Sequence, residues 1–107
     1  MSEASLTKKV KDFLDSFPKH ELWYYKASDR FTSGVPDFIV CYRGEFVAIE
    51  LKDTNKKPKP IQEYTMRCID NAQGCTIWTD NFEDVKNFFK NLHLKPYPEL
   101  LNLYAEG

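Results

Sequence analysis

The stretch Asp37-Phe38-Ile39-Val40-Cys41-Tyr42-Arg43-Gly44-Glu45-Phe46-Val47-Ala48-Ile49-Glu50-Leu51-Lys52 decides the fold. Two runs rich in β-branched and aromatic residues flank Arg43-Gly44, which is the pattern of a β-hairpin. With a two-residue turn, Tyr42 faces Glu45 and, further from the turn, Asp37 faces Glu50. Alternation then puts Glu50 and Lys52 on one face of the hairpin, with Val47, Ile49 and Leu51 on the opposite face, toward a core. Directly opposed residues have Cβ atoms about 5 Å apart, so the carboxylates repel unless a cation lies between them. A three-residue bulged loop would shift the pairing and turn one carboxylate away, whereas a four-residue loop would preserve it.

Upstream, Leu6, Val10, Phe13, Leu14 and Phe17 recur at helical spacing, with Ser2 or Ser5 as N-cap and Pro18 closing the segment. Leu22-Trp23-Tyr24-Tyr25-Lys26 favours a strand, and the segment from Ser28 to Pro36 reads as a loop. Downstream, the polar stretch Asp53 to Pro60 is a loop. Ile61, Tyr64, Thr65, Cys68, Ile69 and Ala72 mark a second helix that ends near Gly74, and Cys75 to Thr79 restores a strand. Asp80 with Glu83 resembles a capping box that opens a third helix with Phe82, Val85, Phe88, Phe89 and Leu92 inward. The element order is αβββαβα, an α/β arrangement. The tail from Lys95, with Leu100, Leu101, Leu103 and Tyr104, is too short for a domain but apolar enough to dock on a surface.

A chain of 107 residues, 42% hydrophobic and 15% aromatic, buries one core and leaves no room for a second domain. Residues 1–107 are expected to form one domain, with a core over about 3–93 and a tail over 94–107. Lys and Arg number 15 against 16 Asp and Glu, so net charge gives no field that would by itself attract a polyanion. Cys41, Cys68 and Cys75 lack the spacing of a zinc site or disulfide framework and read as reduced, mostly buried thiols. No apolar run reaches the length of a membrane span, and the first residues lack a signal-peptide core. The expected location is the cytoplasm of a bacterial or phage-infected cell. His20 and His93 are isolated and expected at the surface.

Asp37 and Glu50 are hard oxygen donors, few in number, which suits Mg²⁺ with Mn²⁺ as substitute. Such an ion polarises a phosphoryl oxygen and acidifies a bound water, while the Lys52 ammonium stabilises developing negative charge. Taken singly, Asp37 also fits a turn residue after Pro36, and Glu50 with Lys52 an ordinary exposed strand face. Together they favour phosphodiester chemistry. Lys52, Lys56, Lys57 and Lys59, with only Asp53 against them, make a local positive loop suited to DNA phosphates, which Lys26 and Arg30 extend.

Gly34-Val35-Pro36-Asp37, then Glu50-Leu51-Lys52, then Gln62 at the opening of the next helix, resemble the VRR-NUC domain of the PD-(D/E)xK nuclease superfamily, over roughly Glu3 to Val85. The resemblance implies a restriction-endonuclease-like αβββαβ core, a mixed sheet flanked by helices. It implies Asp37, Glu50 and the Leu51 carbonyl as metal ligands, Lys52 as catalytic lysine, and Gln62 as a supporting catalytic-site residue. Glu3, on the inward stripe of the first helix, matches the family's acidic helix residue and is a further expected ligand. The implied activity is a Mg²⁺-dependent endodeoxyribonuclease, a homodimer selective for branched DNA such as Holliday junctions, in DNA repair or recombination. The competing readings are a nicking or flap nuclease of a replication or repair complex, and a non-catalytic nucleic-acid-binding module on the same fold. The apolar tail, Trp78, Phe88 or Tyr97 would supply the dimer contact.

Overall fold

The structure is a computed structural model that describes residues 1–27 and 34–92. Its elements run α1 (Glu3–Asp15), β1 (Leu22–Lys26), β2 (Phe38–Tyr42), β3 (Glu45–Leu51), α2 (Pro60–Asn71), β4 (Cys75–Thr79) and α3 (Phe82–Lys90). This is the order read from the sequence. The expected tail lies outside the described residues, as do Ser28 to Ser33.

The hairpin forms as its sequence dictates. Arg43 and Gly44 both adopt positive φ, 50° and 86°, the two-residue turn whose twist matches that of the flanking strands. The register places Tyr42 opposite Glu45, Val40 opposite Val47 and Phe38 opposite Ile49. β1 adds antiparallel to β2, and β4 adds parallel to β3 after the crossover through α2, giving a four-stranded mixed sheet in the order β1-β2-β3-β4. β3 is central, with partners on both sides, and from Val47 to Leu51 every residue is buried.

One face of the sheet carries the core. Phe38, Val40, Val47, Ile49 and Leu51 pack against Leu6, Val10 and Leu14 of α1 and against Val85 and Phe89 of α3. Phe13 closes the helix layer edge-to-face on Phe17, Phe82 and Phe89, at ring separations of 5.1, 5.8 and 5.7 Å, an arrangement that suits the ring quadrupoles. Ser2 caps α1, its hydroxyl accepting from the Ser5 N–H at 3.1 Å. The expected Asp80 cap of α3 gives way to Asn81, whose side chain accepts from the Glu83 N–H at 2.8 Å. Asp80 instead accepts from the Asn55 N–H at 2.8 Å and anchors the loop after β3.

α2 covers part of the opposite face, but turned from the expected orientation. Ile61 and Tyr64 are exposed (47% and 57%), as are Cys68 and Ala72, while Met66 is buried and Gln62, Thr65 and Ile69 are half-buried. The helix thus turns Gln62 toward the sheet at the expense of two large apolar side chains. Gly34 shows how close the contact is. At φ 87° it lies where an added Cβ would come within 2.8 Å of the Thr65 hydroxyl and 2.9 Å of the Ile61 carbonyl oxygen, so only glycine fits. The cysteines also depart from expectation. Cys41 and Cys68 are exposed and Cys75 is half-buried, because the first two lie on surfaces that no other described element covers.

Candidate active site

The hairpin register carries Asp37 and Glu50 to the same end of the sheet and the same face, beside the first turn of α2. Asp37 sits one residue before β2, yet it continues the ladder. Its side-chain Oδ2 accepts from the Leu51 N–H at 2.7 Å, and its carbonyl accepts from the Ala27 N–H at 2.8 Å. Asp37 is therefore tied by main-chain amides to β3 and to the residue that follows β1.

Glu50 is only 2% exposed, which does not fit the alternative reading of an ordinary exposed strand face. The cause is α2. Gln62 Nε2 donates to Glu50 Oε1 at 3.1 Å, and Gln62 Oε1 accepts from the Lys59 N–H at 2.8 Å, so one side chain caps the helix and holds the carboxylate. Lys52 Nζ lies 3.5 Å from the same Glu50 Oε1, with both side chains largely withdrawn from water. The other oxygen, Glu50 Oε2, is buried without a hydrogen-bond partner. A buried carboxylate oxygen left unpartnered is costly unless something occupies it in the working protein.

The electrostatics express that cost. Burial, then the Asp37 charge, push the Glu50 carboxyl up to about 7 from the usual 4.5, against the lowering influence of Lys52. A group that resists ionisation this strongly is one that a cation would stabilise. The donor set fits a hard divalent ion. Two carboxylates are sufficient protein ligands for Mg²⁺, which retains waters and takes its remaining ligands from phosphate. Among the described residues no group of three His, Cys, Asp or Glu side chains converges to hold a metal. Glu3, expected as a further ligand, lies in the first turn of α1. It is half-buried at the margin of the site. Burial and the Asp37 and Asp53 charges raise its carboxyl, while Lys52 and Lys26 draw it down. Leu51 supplies the amide that binds Asp37.

The residues assigned to DNA divide. Lys56, Lys57 and Lys59 are exposed on the loop beside the site, as expected for phosphate contacts. Lys26 is half-buried, donates to the Ala27 carbonyl at 2.9 Å and lies 5.6 Å over the Phe38 ring. Its charge also acts on the Glu3 carboxyl. Arg30 lies outside the described residues. Tyr24 faces the core and donates to Asp15 at 2.6 Å, and His20 is exposed as expected. The sequence reading passed over Asp53, which accepts from the Glu3 N–H across the chain. It also passed over an exposed aromatic face on β1. Trp23 is 63% exposed and Tyr25 55%, and both alternate outward on the side of the sheet that carries Glu50.

A sheet of two antiparallel pairings and one parallel pairing, with helices on both faces and acidic residues at the end of its central strand, defines the α/β restriction-endonuclease-like fold. Among known structures, one described as a VRR_NUC domain superposes with a TM-score of 0.71, at 24% sequence identity, over 85% of this chain and 97% of that one. No family model matches the chain, and no curated protein does either. The likeness shows the fold: the chain has the architecture of a VRR_NUC domain.

Proposed function

We propose that this protein is a divalent-metal-dependent endonuclease that hydrolyses DNA phosphodiester bonds. The observation that carries the reading is the buried Glu50 carboxylate with one unpartnered oxygen, set beside Asp37 and Lys52 at the end of the central strand. Asp37 and Glu50 would hold Mg²⁺ or Mn²⁺. Bound there, the ion would supply Lewis acidity toward a phosphoryl oxygen and lower the pKa of a coordinated water.

The chain's own groups divide the remaining work. The main-chain amide of Leu51 fixes Asp37, and Gln62 fixes Glu50, so neither carboxylate must reorganise when substrate arrives. Lys52, held against Glu50, directs its ammonium toward the negative charge that grows on the phosphate oxygens. Burial keeps bulk water from screening that charge. Lys56, Lys57 and Lys59 take flanking phosphates without reading sequence.

The substrate is branched DNA such as a four-way junction, and the enzyme is a homodimer that presents two sites related by a two-fold axis. Support for the dimer comes from the apolar side chains left outside on the α2 side. Trp23, Tyr25, Phe46, Ile61 and Tyr64 are each more than two-fifths exposed, a concentration that marks an interaction surface. The test is incubation with junction, flap, single-stranded and linear duplex DNA, each with Mg²⁺, Mn²⁺ or EDTA. Metal-dependent cleavage of the junction in preference to the linear duplex is expected. Binding without cleavage under every metal would reduce the protein to a DNA-binding module.

A further inference from the structure

The parallel partner of β3 brings an aromatic ring to the rung of the sheet that holds Glu50. Glu50 and Trp78 are paired in the register of β3 and β4, and residues paired in this way point to the same face of strands that lie about 4.8 Å apart. β4 is the outer strand of the sheet among the described residues, and Trp78 is 42% exposed there and lies outside the core cluster. An open pocket of about 330 Å³ lies against this side chain. Its walls include Lys56 and Lys57 from the loop after β3, and Asp80 and Asp84 from around the start of α3. Both carboxylates are held through one oxygen. Asp80 Oδ2 accepts from the Asn55 N–H at 2.8 Å and Asp84 Oδ2 from the Thr79 hydroxyl at 2.6 Å, so each keeps a second oxygen able to accept a donor.

Two lysines and two aspartates cancel, so the pocket has no net charge with which to hold a phosphate inside it. It offers a flat apolar ring beside fixed hydrogen-bond acceptors, with ammonium groups on the loop for charges to either side. That is the chemistry of a nucleotide whose base has left its pair, since every base has a face that stacks on an aromatic ring and an unpaired one also has its polar edge free. The volume, at the low end of the roughly 300 to 1,000 Å³ of ligand sites, suits a single base. We propose that this pocket binds one unpaired base of the DNA substrate, stacked on Trp78, and that the aspartates favour a base with an exocyclic amino group. Cytosine presents such a donor where thymine presents a carbonyl oxygen. This assignment rests on the nuclease reading of the neighbouring site, and it gives that site a reason to prefer branched DNA, where an unpaired base is within reach of a pocket one strand away from Glu50.

The test is fluorescence anisotropy in EDTA, above neutral pH, with labelled single strands of equal length: oligo-dC, oligo-dT and a strand of abasic sites. The wild type should bind oligo-dC about 10-fold more tightly than oligo-dT, and both more tightly than the abasic strand, which carries the same phosphates. Trp78→Leu keeps apolar bulk on β4 without a ring to stack, and should weaken oligo-dC binding roughly 5- to 100-fold while leaving the abasic strand unaffected. Trp78→Phe should retain most of the wild-type affinity, and Asp84→Ala should shrink the ratio of oligo-dC to oligo-dT affinity. A wild type that does not distinguish oligo-dC from oligo-dT or from the abasic strand would overturn the proposal. So would a folded Trp78→Leu protein with full oligo-dC affinity, or an Asp84→Ala protein with the full ratio. If Trp78→Leu turns a dimer into a monomer in sedimentation while the base preference persists, the ring is a contact between copies and the proposal also fails. Base preference that depends on Trp78, in a protein that cleaves no DNA with any metal, would refute the nuclease reading and leave the pocket standing.

Discussion

Replacing Glu50 with glutamine should remove a pH dependence of stability that the metal-free fold creates. An unfolded glutamate ionises near 4.5, whereas in the fold burial and the neighbouring Asp37 charge push Glu50 up to about 7. Each pKa unit corresponds to 1.36 kcal/mol, so ionised Glu50 destabilises the native state by on the order of 3 kcal/mol relative to the unfolded chain. The sign follows from proton uptake. Between these two values the native state binds the proton and the unfolded state does not, so stability is full below about 4.5 and is lost as pH rises through about 7. Urea unfolding in EDTA from about pH 4.5 to 8.5 should show this decline in the wild type and a flatter profile in Glu50→Gln. The variant should be the more stable protein at the alkaline end. Saturating Mg²⁺ should flatten the wild-type profile as well. A wild-type profile that is level or rising across this range, or a glutamine variant less stable than wild type at pH 8, would refute the reasoning.

Lys52→Ala should lower cleavage by about 10² to 10³ and, without metal above about pH 7, should also lower the unfolding midpoint, since it removes the cation beside the buried Glu50 carboxylate. Junction turnover with the wild-type rate constant would remove Lys52 from the mechanism. Lys56→Glu combined with Lys57→Glu should weaken DNA binding uniformly across sequences and flatten the dependence of log affinity on log salt, as measured by fluorescence anisotropy. Gly34→Ala should destabilise by at least about 1 kcal/mol in urea titration, because its φ of 87° and the Thr65 hydroxyl and Ile61 carbonyl oxygen both exclude a Cβ. An unchanged midpoint would mean that the contact between this turn and α2 is loose.

The hairpin was legible in the sequence because a two-residue turn and period-two alternation together leave few registers. Arg43-Gly44 fixed the pairing, and the opposition of Asp37 and Glu50 followed from it. The same alternation says nothing of how deeply Glu50 lies, since it identifies two faces but not what covers the second. That cover is α2, whose rotation is hidden in the sequence. Ile61, Tyr64 and Cys68 make an apolar stripe as regular as the one that packs, yet Gln62 and Met66 face the sheet. A polar side chain with a specific partner outweighs hydrophobic periodicity here. Asp53 was missed for another reason, namely that a cap reaching α1 from the far end of β3 has no local signature. Asn81 displaced Asp80 as the α3 cap because Asp80 was already engaged by the Asn55 amide.

The measurement that bears most directly on the central claim is thermal unfolding with and without metal in the wild type and in Asp37→Asn. If Asp37 and Glu50 share a cation, Mg²⁺ or Mn²⁺ at a hundredfold excess over its dissociation constant stabilises the native state by about 2.7 kcal/mol. For a domain of this size that raises the melting temperature by roughly 10 °C or more. Asp37→Asn removes one of the two charges at nearly constant shape. Without metal it should be as stable as the wild type or more so, and its metal-induced rise should shrink. An Asp37→Asn protein that is less stable without metal, yet keeps the full metal response, would show that the two carboxylates do not share a cation.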